Sequence, residues 1–158
     1  MRKTYVPLAK GEEIAGRLAT LLRASGAAVY VVGSIRRKAS RVGDIDFVAV
    51  SEKPASALLR GVEGLQFDSG GEGRAFGYFE GMAVNLWTCP ETELGAALFN
   101  WTGPTGYIIH YRKLAQEMGL HLDQHGLWQD DILIISDTEE AIFVTLGKPY
   151  KPPELRGR

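Results

Sequence analysis

Apolar positions recur along this chain with two periods, and the switches between them mark out the elements. From Leu8 to Arg23, Ile14, Leu18, Leu21 and Leu22 fall on one side of a 3.6-residue repeat. That spacing predicts a helix packed on a sheet and stopped at Gly26. Val29–Val32 is an apolar run without helical period, a first strand, and it breaks at Gly33-Ser34. A second apolar run opens on Asp44-Ile45-Asp46 and continues through Phe47–Val50. Pro54 begins a short helix over 55–60, with Ala57 and Leu58 apolar. Residues 64–73 are glycine-rich and polar and read as a loop. Arg74–Phe79 alternates as a strand, Glu80-Gly81 is a tight turn, and 82–88 is the returning strand of a hairpin.

Helical spacing resumes over Glu91–Phe99, with Leu94, Ala97 and Leu98 apolar. Clustered Gly and Pro over 100–107 force a turn, and a further helix runs from Ile108 to Glu117. Residues 120–128 alternate, and Ile132–Ile135 is another short strand. Asp137-Thr138-Glu139-Glu140 opens a last helix with a near capping box. Ile142, Phe143 and Leu146 form its apolar face, Gly147 stops it, and a proline-rich tail follows.

Composition narrows the class. A chain of 158 residues suits one domain, or one with a small appendage. With 45% hydrophobic and 23% charged residues, a folded core is expected and wholesale disorder is not. No apolar run approaches the roughly 20 residues that span a bilayer, so no membrane partner is expected. Residues 1–11 lack the apolar region of a secretory signal. Cys89 is the single cysteine, which rules out an internal disulfide and suits a reducing compartment, cytoplasmic or nucleoid-associated. A formal net charge of −1 argues against a nucleic-acid coat protein. It leaves room for a nucleic-acid enzyme, in which metal-binding carboxylates offset basic clusters. His110, His121 and His125 have no metal-ligand spacing with Cys89 and read as packing or surface residues.

The chemistry concentrates between residues 33 and 46. Strand alternation puts Asp44 and Asp46 on one face and Ile45 on the other. Adjacent carboxylates repel unless a cation lies between them, and magnesium prefers such hard oxygen ligands together with a shared phosphate. Gly33-Ser34 supplies a tight turn at a predicted helix start, where free N–H groups and a hydroxyl can hold phosphate oxygens. Arg36, Arg37, Lys38 and Arg41 add positive charge nearby. A nucleoside triphosphate with magnesium is the guest these residues suit.

Gly33-Ser34-x-Arg36-Arg37 followed by Gly43-Asp44-x-Asp46 resembles the signature of the family X DNA polymerases, within the nucleotidyltransferases. Asn100 to Tyr107, with its Thr102-Gly103-Pro104 core, is similar to the family's Tyr-Phe-Thr-Gly-Ser turn and most like the small viral member of the family. The tail from Leu146 to Arg156 is similar to the family's Pro-Tyr-x-Pro-Pro-Glu-Leu-Arg ending and is expected to clamp the C-terminal part. The resemblance covers about Val29 to Arg156. It implies an α/β fold of the α+β kind: a nucleotidyltransferase palm over 1–95, with a mixed sheet and helices on one face, and a small α+β C-terminal subdomain over 96–158.

It also implies roles. Gly33, Ser34, Arg37 and Gly43 would belong to the nucleotide site, with Ser34 and Arg37 on the triphosphate. Asp44 and Asp46 would bind two magnesium ions, manganese being able to substitute. Trp101 would pack on the deoxyribose, and backbone at Thr102-Gly103 would exclude a ribose 2′-hydroxyl. Arg112 would meet the template strand, with Lys113 and Arg41 also on DNA; alone, Arg112 reads as a solvated charge on an amphipathic helix. Two departures stand out. Asn100 replaces the family's usual tyrosine, and Ile108 falls where a base-contacting asparagine is expected.

The third departure bears on catalysis. In Val84-Asn85-Leu86, Asn85 stands where the family has its third carboxylate. An amide has no negative charge and cannot take the proton of a primer 3′-hydroxyl. Retained binding of nucleotide with magnesium and reduced chemistry are the expected consequence. A substitution that traps a substrate complex, or a natural protein with weak chemistry, would fit; Glu80, the nearest other acid, falls at the predicted turn.

The expected activity is template-directed addition of deoxynucleotides in short-gap or end-joining repair, with gapped or end-bridged DNA and deoxynucleoside triphosphates as partners. No helix-hairpin-helix or lyase segment is legible ahead of the palm. DNA is therefore expected to be held by Arg36, Lys38, Arg41, Lys113, Lys148 and Lys151, or with a repair-protein partner. The rival readings are nucleotide transfer to RNA, protein or a small molecule, and a silent nucleotide- or DNA-binding module.

Overall fold

The computed structural model describes residues 3–157, which divide into two compact units between Cys89 and Pro90. The first carries, in order, β1 (Val6–Pro7), α1 (Leu8–Arg23), β2 (Ala28–Val32), α2 (Gly33–Arg36), β3 (Arg41–Val42), β4 (Asp44–Val50), α3 (Ala55–Arg60), β5 (Gln66–Gly70), β6 (Arg74–Phe79) and β7 (Met82–Cys89). Its main sheet has the order β2-β4-β7-β6-β5, with β4 and β7 parallel and the other pairs antiparallel. It is the mixed sheet that the resemblance implies. One face is apolar and buries Ile45, Phe47, Ala49, Val84 and Leu86 with Ile14, Leu18 and Leu22 of α1 and Leu58 and Leu59 of α3. Each such large side chain contributes roughly 1.5–3 kcal/mol. Alternation then leaves Asp44, Asp46 and Asn85 on the opposite face.

Two expectations are corrected here, and one small ladder is added. Leu21 is 43% exposed. The buried stripe of α1 is displaced toward Ala15 and Ala19, whose small side chains let the helix approach the sheet, and Leu21 is left at its rim. The glycine-rich stretch read as a loop contains β5, an edge strand whose register shifts between Phe67 and Ser69. Gly70 has φ +133°, and a Cβ there would lie 2.4 Å from Ala75 Cα, so the glycine marks a bend in a strand. The small ladder pairing Val6 with Val42 is too short to leave a periodic signal.

The second unit carries α4 (Leu94–Thr102), α5 (Thr105–Glu117), the antiparallel strands β8 (His121–Asp123), β9 (Gly126–Gln129) and β10 (Ile132–Ile135), and α6 (Glu139–Thr145). Pro104 leads directly into α5, which therefore starts three residues ahead of the expected Ile108. The single alternating stretch splits into β8 and β9 because Asp123 Oδ1 accepts from His125 N, Gly126 N and Trp128 Nε1 and closes a turn. Phe99, Ile108, Tyr111, Leu127, Ile142 and Phe143 fill the core, with Phe99 and Phe143 edge to face at 5.3 Å. Among the described residues no helix is long and apolar enough to cross a membrane.

Candidate active site

Strand register assembles the site in the first unit. Parallel pairing of β4 and β7 sets Asp46 opposite Asn85 and Asp44 opposite Ala83, while Val32 of β2 flanks Asp46 on its other side. The residue after Val32 therefore comes to lie against that carboxylate. Gly33 has φ +65°, and a Cβ on it would fall 2.1 Å from Asp46 Oδ2. Conformation and space both require glycine there. The chain turns tightly behind it: Arg37 N donates to the Gly33 carbonyl at 3.1 Å and Ala39 N to the Ser34 carbonyl at 3.0 Å. Gly43, buried just before Asp44, has Lys3 and Tyr5 where a Cβ would go.

Burial pushes the Asp46 carboxyl up to about 6, and the like charge of Asp44 adds to the rise. A hydrogen bond from Asn85 Nδ2 to Asp46 Oδ1, at 3.0 Å, opposes it. Asn85 in turn accepts from Arg74 Nη2 at 3.2 Å. Burial lowers the Arg37 guanidinium from its ordinary value, and the charge of Asp46 works against that. Lys3 Nζ lies 3.1 Å from Asp44 Oδ2, and this bond raises the lysine.

Asp44 and Asp46 present hard oxygens on one face, and an ammonium already balances one of them. Such a donor set fits a divalent cation of the magnesium class, which takes one or two carboxylates and completes its shell with water and phosphate. Among the described residues no group of three or more His, Cys, Asp or Glu could hold a metal ion. Glu80 is not a third member. It sits in the hairpin turn with φ +49° and accepts from Arg17 Nε of α1 at 3.0 Å.

In the second unit, Trp101 and Thr102 end α4 and Gly103, at φ +64°, turns the chain. Thr102 is fully buried and Trp101 half-buried. Arg112 of α5 does not stand free in solvent: its Nη2 donates to Asn100 Oδ1 at 2.7 Å. Ile108 is a core residue, 6% exposed. Gly33, Ser34, Arg37, Gly43, Asp44, Asp46 and Asn85 thus gather in the first unit, and Asn100, Trp101, Thr102, Gly103 and Arg112 in the second. Lys113 and Arg41 are exposed, each on its own unit.

Sequence reasoning missed Arg74 and Lys3. The hairpin register carried a signal for Arg74, since two residues beyond the partner of Asn85 a side chain reaches the same face. Lys3 is held beside Asp44 by the β1–β3 ladder, which no pattern announced.

Comparisons with known proteins bear on the family and the fold. Residues 97–157 match the family described as DNA polymerase beta thumb. The Repair DNA polymerase X of African swine fever virus (strain Badajoz 1971 Vero-adapted) is 28% identical over 142 residues, covering 81% of this chain and 80% of the viral protein. The human DNA-directed DNA/RNA polymerase mu is 33% identical over 90 residues, covering 55% of this chain and 18% of its own. A crystal structure of Leishmania infantum polymerase beta in a ternary P/T complex has the same fold, with a TM-score of 0.85 and 17% identity over 98% of this chain and 77% of that one.

Proposed function

We propose that the chain is a family X DNA polymerase that adds deoxynucleotides to a primer 3′-hydroxyl under template direction, in short-gap or end-joining DNA repair. The observation that carries this reading is the register of β4 on β7 with Gly33 folded against Asp46. It sets two carboxylates beside a tight glycine turn at the start of a helix.

Asp44 and Asp46 would hold two magnesium ions, or manganese in their place. Bound there, the ions would neutralise phosphate charge and acidify the attacking hydroxyl. Ser34 and Arg37, with the Gly33 backbone, grip the triphosphate, and Gly43 gives the chain room to bend into Asp44. Trp101 packs on the deoxyribose, and the backbone at Thr102-Gly103 narrows the space beside its 2′ position. Arg112 serves the template strand, and Arg41 and Lys113 meet DNA phosphates, adding affinity that salt weakens and no sequence preference. Asn85 cannot take the proton of the 3′-hydroxyl, so slow chemistry with nucleotide binding retained is expected of this sequence.

Single-nucleotide gap filling tests the reading. The Asn85→Asp variant is given one deoxynucleotide at a time opposite each of the four template bases. Incorporation that follows Watson–Crick pairing supports the proposal. Transfer that ignores the template, or that needs an RNA or protein acceptor, would make the chain a nucleotidyltransferase of another kind.

A further inference from the structure

A line of three side chains crosses the sheet of the first unit. Arg74 of β6 donates from Nη2 to Asn85 Oδ1 at 3.2 Å, and Asn85 of β7 donates from Nδ2 to Asp46 Oδ1 at 3.0 Å. The chemistry of the two ends fixes the middle. A guanidinium has only donors and an ionised carboxylate only acceptors. Asn85 must therefore turn its oxygen to Arg74 and its nitrogen to Asp46; the reversed amide would set donor against donor and acceptor against acceptor. Asn85 is 8% exposed, so rotating it breaks two hydrogen bonds where little water can replace them. Arg74 is braced as well, its guanidinium carbon lying 5.5 Å from the centre of the Trp87 ring.

We propose that residue 85 in this chain serves the carboxylate pair as a hydrogen-bond donor to Asp46 rather than as a third metal ligand, and that Arg74 is the positioning residue that holds it in that role. The inference rests on reading Asp44 and Asp46 as the metal-binding pair. The one atom of Asn85 fit to ligate a hard cation is its carbonyl oxygen, and a guanidinium donating to it from Arg74 both takes one of its two lone pairs and sets a positive charge where a metal would have to approach. Its nitrogen contacts Asp46 on Oδ1 while Gly33 closes on Oδ2, so the carboxylate is fixed from both sides. Donors that orient a ligating carboxylate in this way commonly govern metal affinity by ten- to a hundred-fold.

Binding of Mn2+ to the whole chain without nucleotide, followed by electron paramagnetic resonance, tests this apart from activity. Arg74→Met is expected to weaken Mn2+ binding about ten-fold, Asn85→Ala by a similar factor, and the double variant no further than Asn85→Ala alone. Tighter binding by Arg74→Met would mean that the released oxygen is a ligand, and unchanged binding that Arg74 positions nothing; either overturns the proposal. So would additive losses in the double variant, which would have Arg74 acting without Asn85. Arg74→Lys guards against a variant that does not fold: its ammonium can still donate to Asn85 Oδ1, so it should bind Mn2+ more tightly than Arg74→Met, and affinity no better than that of Arg74→Met counts against the hydrogen bond. Asp44→Asn and Asp46→Asn are measured alongside. If they leave Mn2+ binding intact, the metal-pair reading falls and takes this inference with it; if they abolish binding while Arg74→Met does not weaken it, the inference alone fails.

Discussion

Asp46 is the residue at which the needs of the site and of the fold oppose each other. Its carboxyl titrates at about 6 in the folded chain, against an ordinary value of 3.8, mainly because burial disfavours its charge. Below about pH 4 it is protonated whether the chain is folded or not, and it costs nothing. As pH rises through about 6 the folded chain must ionise it and loses stability relative to the unfolded chain, by about 3 kcal/mol in all at 1.4 kcal/mol per pKa unit. Asp46→Asn is therefore expected to raise the melting temperature at pH 8 in the absence of divalent cations, with the gain shrinking toward pH 4. Melts across that range check this, and an equal gain at both ends would contradict it. The same titration implies that Mn2+ affinity falls as pH drops through about 6. Sequence alone placed Asp44 and Asp46 on one face, because a period of two within one strand needs no tertiary information, whereas Asn85 was brought to them by the family resemblance. Sequence reasoning missed Arg74, whose only signal was the register of β6 against β7 in the expected hairpin.

At the scale of elements, the turn from β2 into α2 tolerates little change. Gly33→Ala would force a side chain into the left-handed region, at about 1 kcal/mol or more, and push it into Asp46 Oδ2. Nucleotide binding in the presence of Mn2+ is expected to drop at least about ten-fold while the far-ultraviolet circular dichroism is kept; retained affinity would show that the turn has room to shift. In the second unit Thr138 caps α6 by accepting from Ala141 N at 3.2 Å, and Thr138→Ala should cost about 1 kcal/mol in urea unfolding. Long amphipathic elements such as α1 and α5 were legible because their apolar positions repeat over several turns. The bulged edge strand β5 was not, because the glycines that permit its bend are the residues that otherwise signal a loop.

At the scale of the molecule, each unit has its own core, and the C-terminal tail belongs to that of the second. Arg156 is 3% exposed and donates from Nη1 to Glu139 Oε2 at 2.6 Å and from Nε to the Lys151 carbonyl at 2.9 Å. Its guanidinium lies between 5.2 and 5.8 Å from the centres of the Phe143, Tyr150 and Phe99 rings. The tail motif therefore acts as the clamp expected of it, and Arg156 is the residue that makes it. Arg156→Met strands Glu139 in a buried site and should destabilise the second unit by about 3–5 kcal/mol, measured by denaturant unfolding; a loss under about 1 kcal/mol would mean that water reaches the pair. The architecture of both units was legible through the family resemblance, whereas the line from Arg74 to Asp46 exists only in the folded chain. The central claim is that these residues form a polymerase site slowed at one position. Single-turnover filling of a one-nucleotide gap, by the unsubstituted chain and by Asn85→Asp, tests it most directly. The account predicts templated extension by the variant at least about a hundred-fold faster than by the unsubstituted chain, with nucleotide bound by both. Failure of both to extend, or equal rates from the two, would contradict it.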